Sequence, residues 1–140
     1  MSTKPDMEEF FTRQQANEGI ELPLSRPDGT PTDHRIRIRS ADSDAFRAAE
    51  ADSSRKLLEI SLEKDAAKRN ADFLEQRLVM RAALVISWTF DKPCTPESVR
   101  EFLREAPQIA DQIDRIANQR SRFFKKGSAP STPSPAQSSS

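Results

Sequence analysis

LVMRAALVISWTFDKPCTPESVREFLREAPQIADQIDRIANQRSRFF, residues 78–124, decides the fold. It opens on an apolar run, residues 82–88, that ends in the only Trp of the chain and reads as the end of a long helix. Residues 91–95 then form a Pro-punctuated turn. Thr95 is placed to cap the next helix, and Pro96 sits at the first helical position, where its missing N–H costs nothing. Glu97 suits the positive end of the helix dipole. That helix runs to about Glu105 and presents Val99, Phe102 and Leu103. Pro107 opens another, on which Ile109, Ile113, Ile116, Arg120 and Phe123 recur at helical spacing. Asp111 and Arg115 are placed to pair on its surface.

Upstream, residues 44–88 contain neither Gly nor Pro and are rich in Ala, Leu, Glu and Lys, all good helix formers. Asp52–Lys56 and Asp65–Arg69 offer acid-before-base pairs one turn apart. Three apolar clusters follow one another: Leu57, Leu58, Ile60 and Leu62; Phe73, Leu74, Leu78 and Val79; Leu84, Val85, Ile86 and Trp88. The polar stretch KDAAKRNAD, residues 64–72, separates the first two. The pattern predicts either one long helix or a helix pair broken near residues 68–70. Asp42 or Ser43 caps its start.

Before it, Ile20, Leu22 and Leu24 alternate with Glu21 and Pro23, and His34, Ile36 and Ile38 alternate with Arg35, Arg37 and Arg39. Two such runs around Pro27-Asp28-Gly29 predict a β-hairpin. Pro23 cannot donate a ladder hydrogen bond, so its strand lies at an edge. Residues 1–18 form a polar N-terminal segment in which Phe10 and Phe11 either dock on the body or belong to a frayed end. Residues 125–140, KKGSAPSTPSPAQSSS, hold nothing that buries area and are expected to be disordered. The expected protein is thus mainly α. A hairpin and helical domain spans 19–124, with two shorter helices at its C-terminal end.

Composition narrows the function classes. Lys plus Arg and Asp plus Glu both number 22 over 140 residues, for a net charge of zero. That removes the global electrostatic argument for nucleic acid or an anionic membrane. One cysteine, Cys94, makes no internal disulfide and no demand for an oxidising compartment. The N-terminus lacks a signal peptide's apolar core, and the longest apolar run falls far short of the roughly 20 residues needed to span a bilayer. These features predict a cytosolic protein.

Catalytic constellations are thin. His34 is the only histidine, so a Ser-His-Asp triad or a multi-His metal site has a single candidate. Asp28, Asp33, Asp42 and Asp44 match no Ca²⁺-loop spacing, and turn and cap duties account for them. Arg35, Arg37 and Arg39 form one basic stripe; Arg115, Arg120, Arg122, Lys125 and Lys126 form a patch. Either suits phosphates, and either equally suits a solvated surface. Three scattered glycines make no phosphate loop. Cys94 lies before a helix N-terminus without a nearby His and reads as structural. No enzyme, cofactor or metal is implied. What stands out is Trp88, Phe90, Phe102, Phe123 and Phe124, which are either the core or an exposed docking face.

The segments WTFDKPCTPESV (88–99), IDRIA (113–117) and RSRF (120–123), with the Leu103/Pro107 junction, resemble the tail assembly chaperones of long-tailed bacteriophages. The Asp28-Gly29 hairpin and the Asp42-Ser43 helix start are similar in style, so the likeness spans about residues 19–124. Cys94 stands where the family has a larger apolar residue, and Ser98 where it often has Asn. The resemblance implies a non-enzymatic protein of the host cytoplasm. Its partners would be the tape-measure and tail-tube proteins, kept soluble until the tail polymerises, with no cofactor, membrane or nucleic acid involved and self-association left open. The candidate partner-binding residues are Trp88, Phe90, Phe102, Leu103, Ile113, Arg120 and Phe123. Other classes compatible with the sequence are a neck or tail component retained in the virion and a small DNA-binding regulator.

Overall fold

The computed structural model describes residues 6–124; the expectation of a disordered tail over 125–140 lies outside the described residues. A 3-10 turn, Met7–Phe10, leads into a short helix α1, Arg13–Glu18. Strands β1 (Ile20–Ser25) and β2 (Pro31–Ile38) form the hairpin, and helices α2 (Asp44–Ser61) and α3 (Ala66–Ala82) follow. A third strand β3 (Val85–Trp88) precedes α4 (Pro96–Glu105) and α5 (Pro107–Ala117). The chain is mainly α with an N-terminal hairpin, as expected.

The sheet is antiparallel in the order β1-β2-β3. Ile20 pairs with Ile38 and Leu22 with Ile36, so the period-2 pattern places the apolar residues of both strands on one face. Pro23 lies in the edge strand β1, and Gly29 takes φ +94° in the turn. The apolar face packs on α4 and α5. Leu22, Leu24, Ile36, Ile38 and Val85 meet Val99, Leu103, Ile109, Ile113 and Ile116, with Phe123 closing the end. The helix boundaries follow their caps. The Ser43 hydroxyl accepts from the Phe46 N–H, and the Thr95 hydroxyl from the Ser98 N–H. The Ser98 hydroxyl accepts from Thr95 N–H and donates to the Pro93 carbonyl, so serine here completes the turn before α4.

Three expectations are corrected. The apolar run ending at Trp88 is not helical throughout. After Ala83 the chain turns, and residues 85–88 pair with β2, Ile36 opposite Trp88 and Ile38 opposite Val85. The free edge of β2 and the β-branched Val85-Ile86 pair favour a strand there. The break between the helices falls at residues 62–65, earlier than 68–70, because Asp65 caps α3 by accepting from the Ala67 and Lys68 N–H groups. The expected surface pairs are also exchanged. Asp52 meets Arg55, Asp65 serves as the α3 cap while Arg69 donates to the Glu63 carbonyl, and Asp111 meets Arg81 of α3 across the helix interface.

α1 joins the body rather than standing apart. Ala16 is buried, its carbonyl accepts from Ser40 N–H, and Arg13 pairs with Asp44 at 2.8 Å. Phe10 and Phe11, by contrast, are exposed. α2 and α3 form an antiparallel hairpin in which the buried residues are Ser53 and Gln76 alone, and Leu58 and Leu62 face solvent.

Candidate docking site

The expected site residues separate into three groups. Leu103, Ile113 and Phe123 are 1%, 0% and 6% exposed, so they are core side chains and offer a partner no surface. Arg120 is exposed but committed: its guanidinium donates to both carboxylate oxygens of Asp42 at 2.6 and 3.1 Å. This holds the Asp42 carboxyl below its usual range, first through the hydrogen bond from Arg120. Trp88, Phe90 and Phe102 come together at the surface as one cluster.

The sheet builds that cluster. His34 lies two residues before Ile36, and Phe90 two residues after Trp88, so alternation carries the core face of β2 and β3 beyond the cover of α4. Phe102 rises from α4 to meet them. Trp88 and Phe90 are 5.2 Å apart between centroids at 68°, Trp88 and Phe102 5.7 Å at 76°, and Phe90 and Phe102 5.2 Å at 54°. These are edge-on and tilted contacts, each worth about 0.5–1.5 kcal/mol beyond burial. His34 stacks on Phe90 at 4.6 Å, and its Nδ1 lies 3.0 Å from the Thr89 hydroxyl. The Thr89 hydroxyl also accepts from Arg35 N–H, which pins the start of the loop carrying Phe90. The Trp88 indole N–H donates to the Lys92 carbonyl at 2.7 Å. The indole is therefore fixed at its polar edge where it lines the cleft described next.

Two clefts of about 300 Å³ each flank the Phe90–Phe102 ridge. One runs between Trp88 and the outer face of α4, with Lys92 and Glu101 paired at 3.0 Å on its rim. The other lies between the β1–β2 turn and the start of α5, lined by Leu24, Pro27, Thr32, His34, Ala106 and Ile109. Phe90, Phe102 and Glu105 belong to both. An apolar floor with a thin polar rim binds apolar side chains and leaves hydrogen-bonding groups for the backbone that carries them.

Other sequence candidates are occupied by structural tasks. Arg37 donates to the Glu18 and Gly19 carbonyls, and Arg39 to the Ala83 carbonyl at 2.6 Å. Arg35 stands 3.6 Å from Glu21. The basic stripe thus ties the sheet to the ends of α1 and α3. Burial pushes the Cys94 thiol up, away from reactivity. Among the described residues, no three His, Cys, Asp or Glu side chains gather as a metal group, and no helix is long and apolar enough to cross a membrane.

Sequence reasoning named the aromatic members but not the wall contributed by His34, Pro27, Ala106 and Ile109. The alternation that puts His34 on the Ile36 face was a usable signal. The approach of the hairpin turn to α5 is tertiary and left no local trace. Comparison of the chain with protein-family models, curated proteins and solved structures returns no match.

Proposed function

We propose that this protein is a tail assembly chaperone of a long-tailed bacteriophage or prophage. It acts in the host cytoplasm by covering apolar segments of the tape-measure protein, the tail-tube protein, or both. The observation that carries the reading is the half-open Trp88–Phe90–Phe102 cluster with a cleft on each side. Trp88 and Phe90 belong to the WTFDKPCTPESV segment on which the family resemblance rests, and Phe102 follows it by three residues. A chaperone for helical apolar segments needs a surface of this kind. It must be apolar enough to hold side chains at helical spacing and shallow enough to release them when subunits polymerise. Aromatic rings supply large contact area at small entropic cost, which suits reversible cover.

The test is co-expression with the tape-measure and tail-tube proteins encoded nearby, followed by tagged capture and measurement of each partner's soluble fraction. Capture of either, with a raised soluble fraction, is the expected result. Both partners remaining insoluble and unbound would overturn the reading. Mass spectrometry of purified particles adds a second check: a chaperone is absent from the finished virion, and a neck or tail component is present.

A further inference from the structure

A third cleft, of about 300 Å³, lies between the end of α3, β3 and the start of α4. It shares no residue with the two clefts beside Phe90 and Phe102. Val79, Val85, Ile86 and Val99 make its apolar wall, and Arg39, Arg100 and Cys94 join the lining, in which no Asp or Glu takes part. From two guanidinium groups set against an aliphatic wall we infer that this cleft binds a small carboxylate on an aliphatic stem.

Arg39 is half-buried, and its Nη1 donates to main-chain carbonyls, Ala83 at 2.6 Å and Val85 at 3.4 Å. These bonds hold the group in place without neutralising it. Burial pulls its ionisation below the ordinary value, and among the described residues no acid acts the other way. A cation taken out of water without a counterion is costly, and an arriving anion offsets that cost. Arg100 is also short of negative charge. Glu75 stands 3.3 Å from it and 2.7 Å from Arg104, so one carboxylate serves two guanidinium groups. Glu97, one turn before Arg100, is exposed and outside the lining. Burial raises the Cys94 thiol and keeps it neutral, so sulfur brings no charge of its own to the cleft.

Charge and size set the occupant. Arginine's planar fork matches a carboxylate, which it binds through two parallel hydrogen bonds. The volume lies at the low end of small-molecule sites. An Asp or Glu side chain of another protein brings one or two methylenes and leaves most of the aliphatic wall uncovered. Each further methylene buried is worth roughly fourfold in affinity, so the fit is to a free acid with a stem of about four to six carbons. Because the docking clefts contribute no residue, the site is independent of what the protein covers.

Cys94, the only cysteine, lines the cleft and reports its occupancy. Alkylation of the full-length protein at about pH 8 is followed by intact mass. Hexanoate, hexanamide and propionate are each titrated to about 20 mM, which spans the millimolar affinities of such small ligands. Hexanoate should slow alkylation several-fold. Hexanamide has the same length without the charge, and propionate the same charge on a short stem; each should need roughly tenfold more for the same protection. Arg39→Gln should erase the preference for hexanoate over hexanamide. Arg39 also ties β2 to Ala83, so if that variant fails to fold, Arg100→Gln takes its place and should weaken hexanoate several-fold. Absence of protection by hexanoate overturns the inference. Equal protection by hexanamide also overturns it, as the mark of a plain apolar hollow, and so does equal protection by propionate, as the mark of a bare anion site. Hexanoate binding left unchanged in the folded arginine variant overturns it as well.

Discussion

Gly19→Ala probes the joint between α1 and the sheet. Gly19 ends α1 at φ +77° and ψ −174°, a region essentially reserved for glycine, where another residue is strained by about 1–3 kcal/mol. Space is also lacking. A Cβ there would overlap the Ile38 carbonyl oxygen and stand 2.9 Å from both the Ile38 carbonyl carbon and Ile86 Cδ1. The oxygen is backbone in a strand whose Ile38 is paired with Ile20 on one side and Val85 on the other, so neither ladder can yield freely. Strain and overpacking together give a loss of about 3–4 kcal/mol. For a domain of this size that is a fall in Tm of roughly 10–15 °C. Gly29→Ala is the internal control. Gly29 also has positive φ, +94°, but nothing lies within 4 Å of its Cβ position, so only the backbone penalty of about 1–2 kcal/mol applies. Urea unfolding followed by circular dichroism measures both. If Gly19→Ala falls within 1 kcal/mol of Gly29→Ala by that measurement, the close approach of α1's end to β2 is wrong.

Phe102→Ala should cost about 2 kcal/mol, less than the roughly 3–5 of a fully buried Phe because the ring is only partly buried, yet reduce partner capture by roughly tenfold or more. Ile113→Ala, at 0% exposure, should show the reverse pattern, losing about 2–5 kcal/mol with capture per folded molecule unchanged; a melt beside a pull-down separates them. Asp42 has its carboxyl depressed in the fold, chiefly by the Arg120 hydrogen bond. Its contribution is therefore present above the unfolded value of about 3.9 and lost as pH falls through the folded value. Asp42→Asn should lower stability at neutral pH and flatten the acid limb below about pH 4, and an unaltered limb in acid titration would remove Asp42 from that role. Cys94, with its thiol raised by burial, should alkylate several-fold more slowly than free cysteine at pH 8, read by intact-mass spectrometry.

Local chemistry accounts for most of the elements that could be read in advance. Ser43, Thr95-Pro96 and Pro107 mark helix starts because caps and missing N–H groups act within a few residues. The hairpin was legible because alternation and Asp28-Gly29 are likewise local. β3 was hidden by its neighbours. Residues 82–88 are apolar on every side, and whether Val85 joins a helix or a sheet depends on the open edge of β2, some fifty residues upstream. The docking set had the same limit. The candidate set put Leu103, Ile113 and Phe123 beside Phe102, but helical spacing cannot tell the side of a helix that meets the sheet from the side that projects past it. The sheet's overshoot at His34 and Phe90 makes that distinction, and only the folded chain has it.

The position of the one tryptophan gives the protein a built-in optical gauge. Trp88 stands in the wall of the first cleft, its N–H anchored to the Lys92 carbonyl. The intrinsic emission of the whole chain therefore originates at this surface. A segment seated against the indole would shift that emission to the blue and shield it from a dissolved quencher, while unfolding would move it to the red. Occupancy and integrity can thus be followed in the same cuvette on unmodified protein, without attaching a dye to the surface under study.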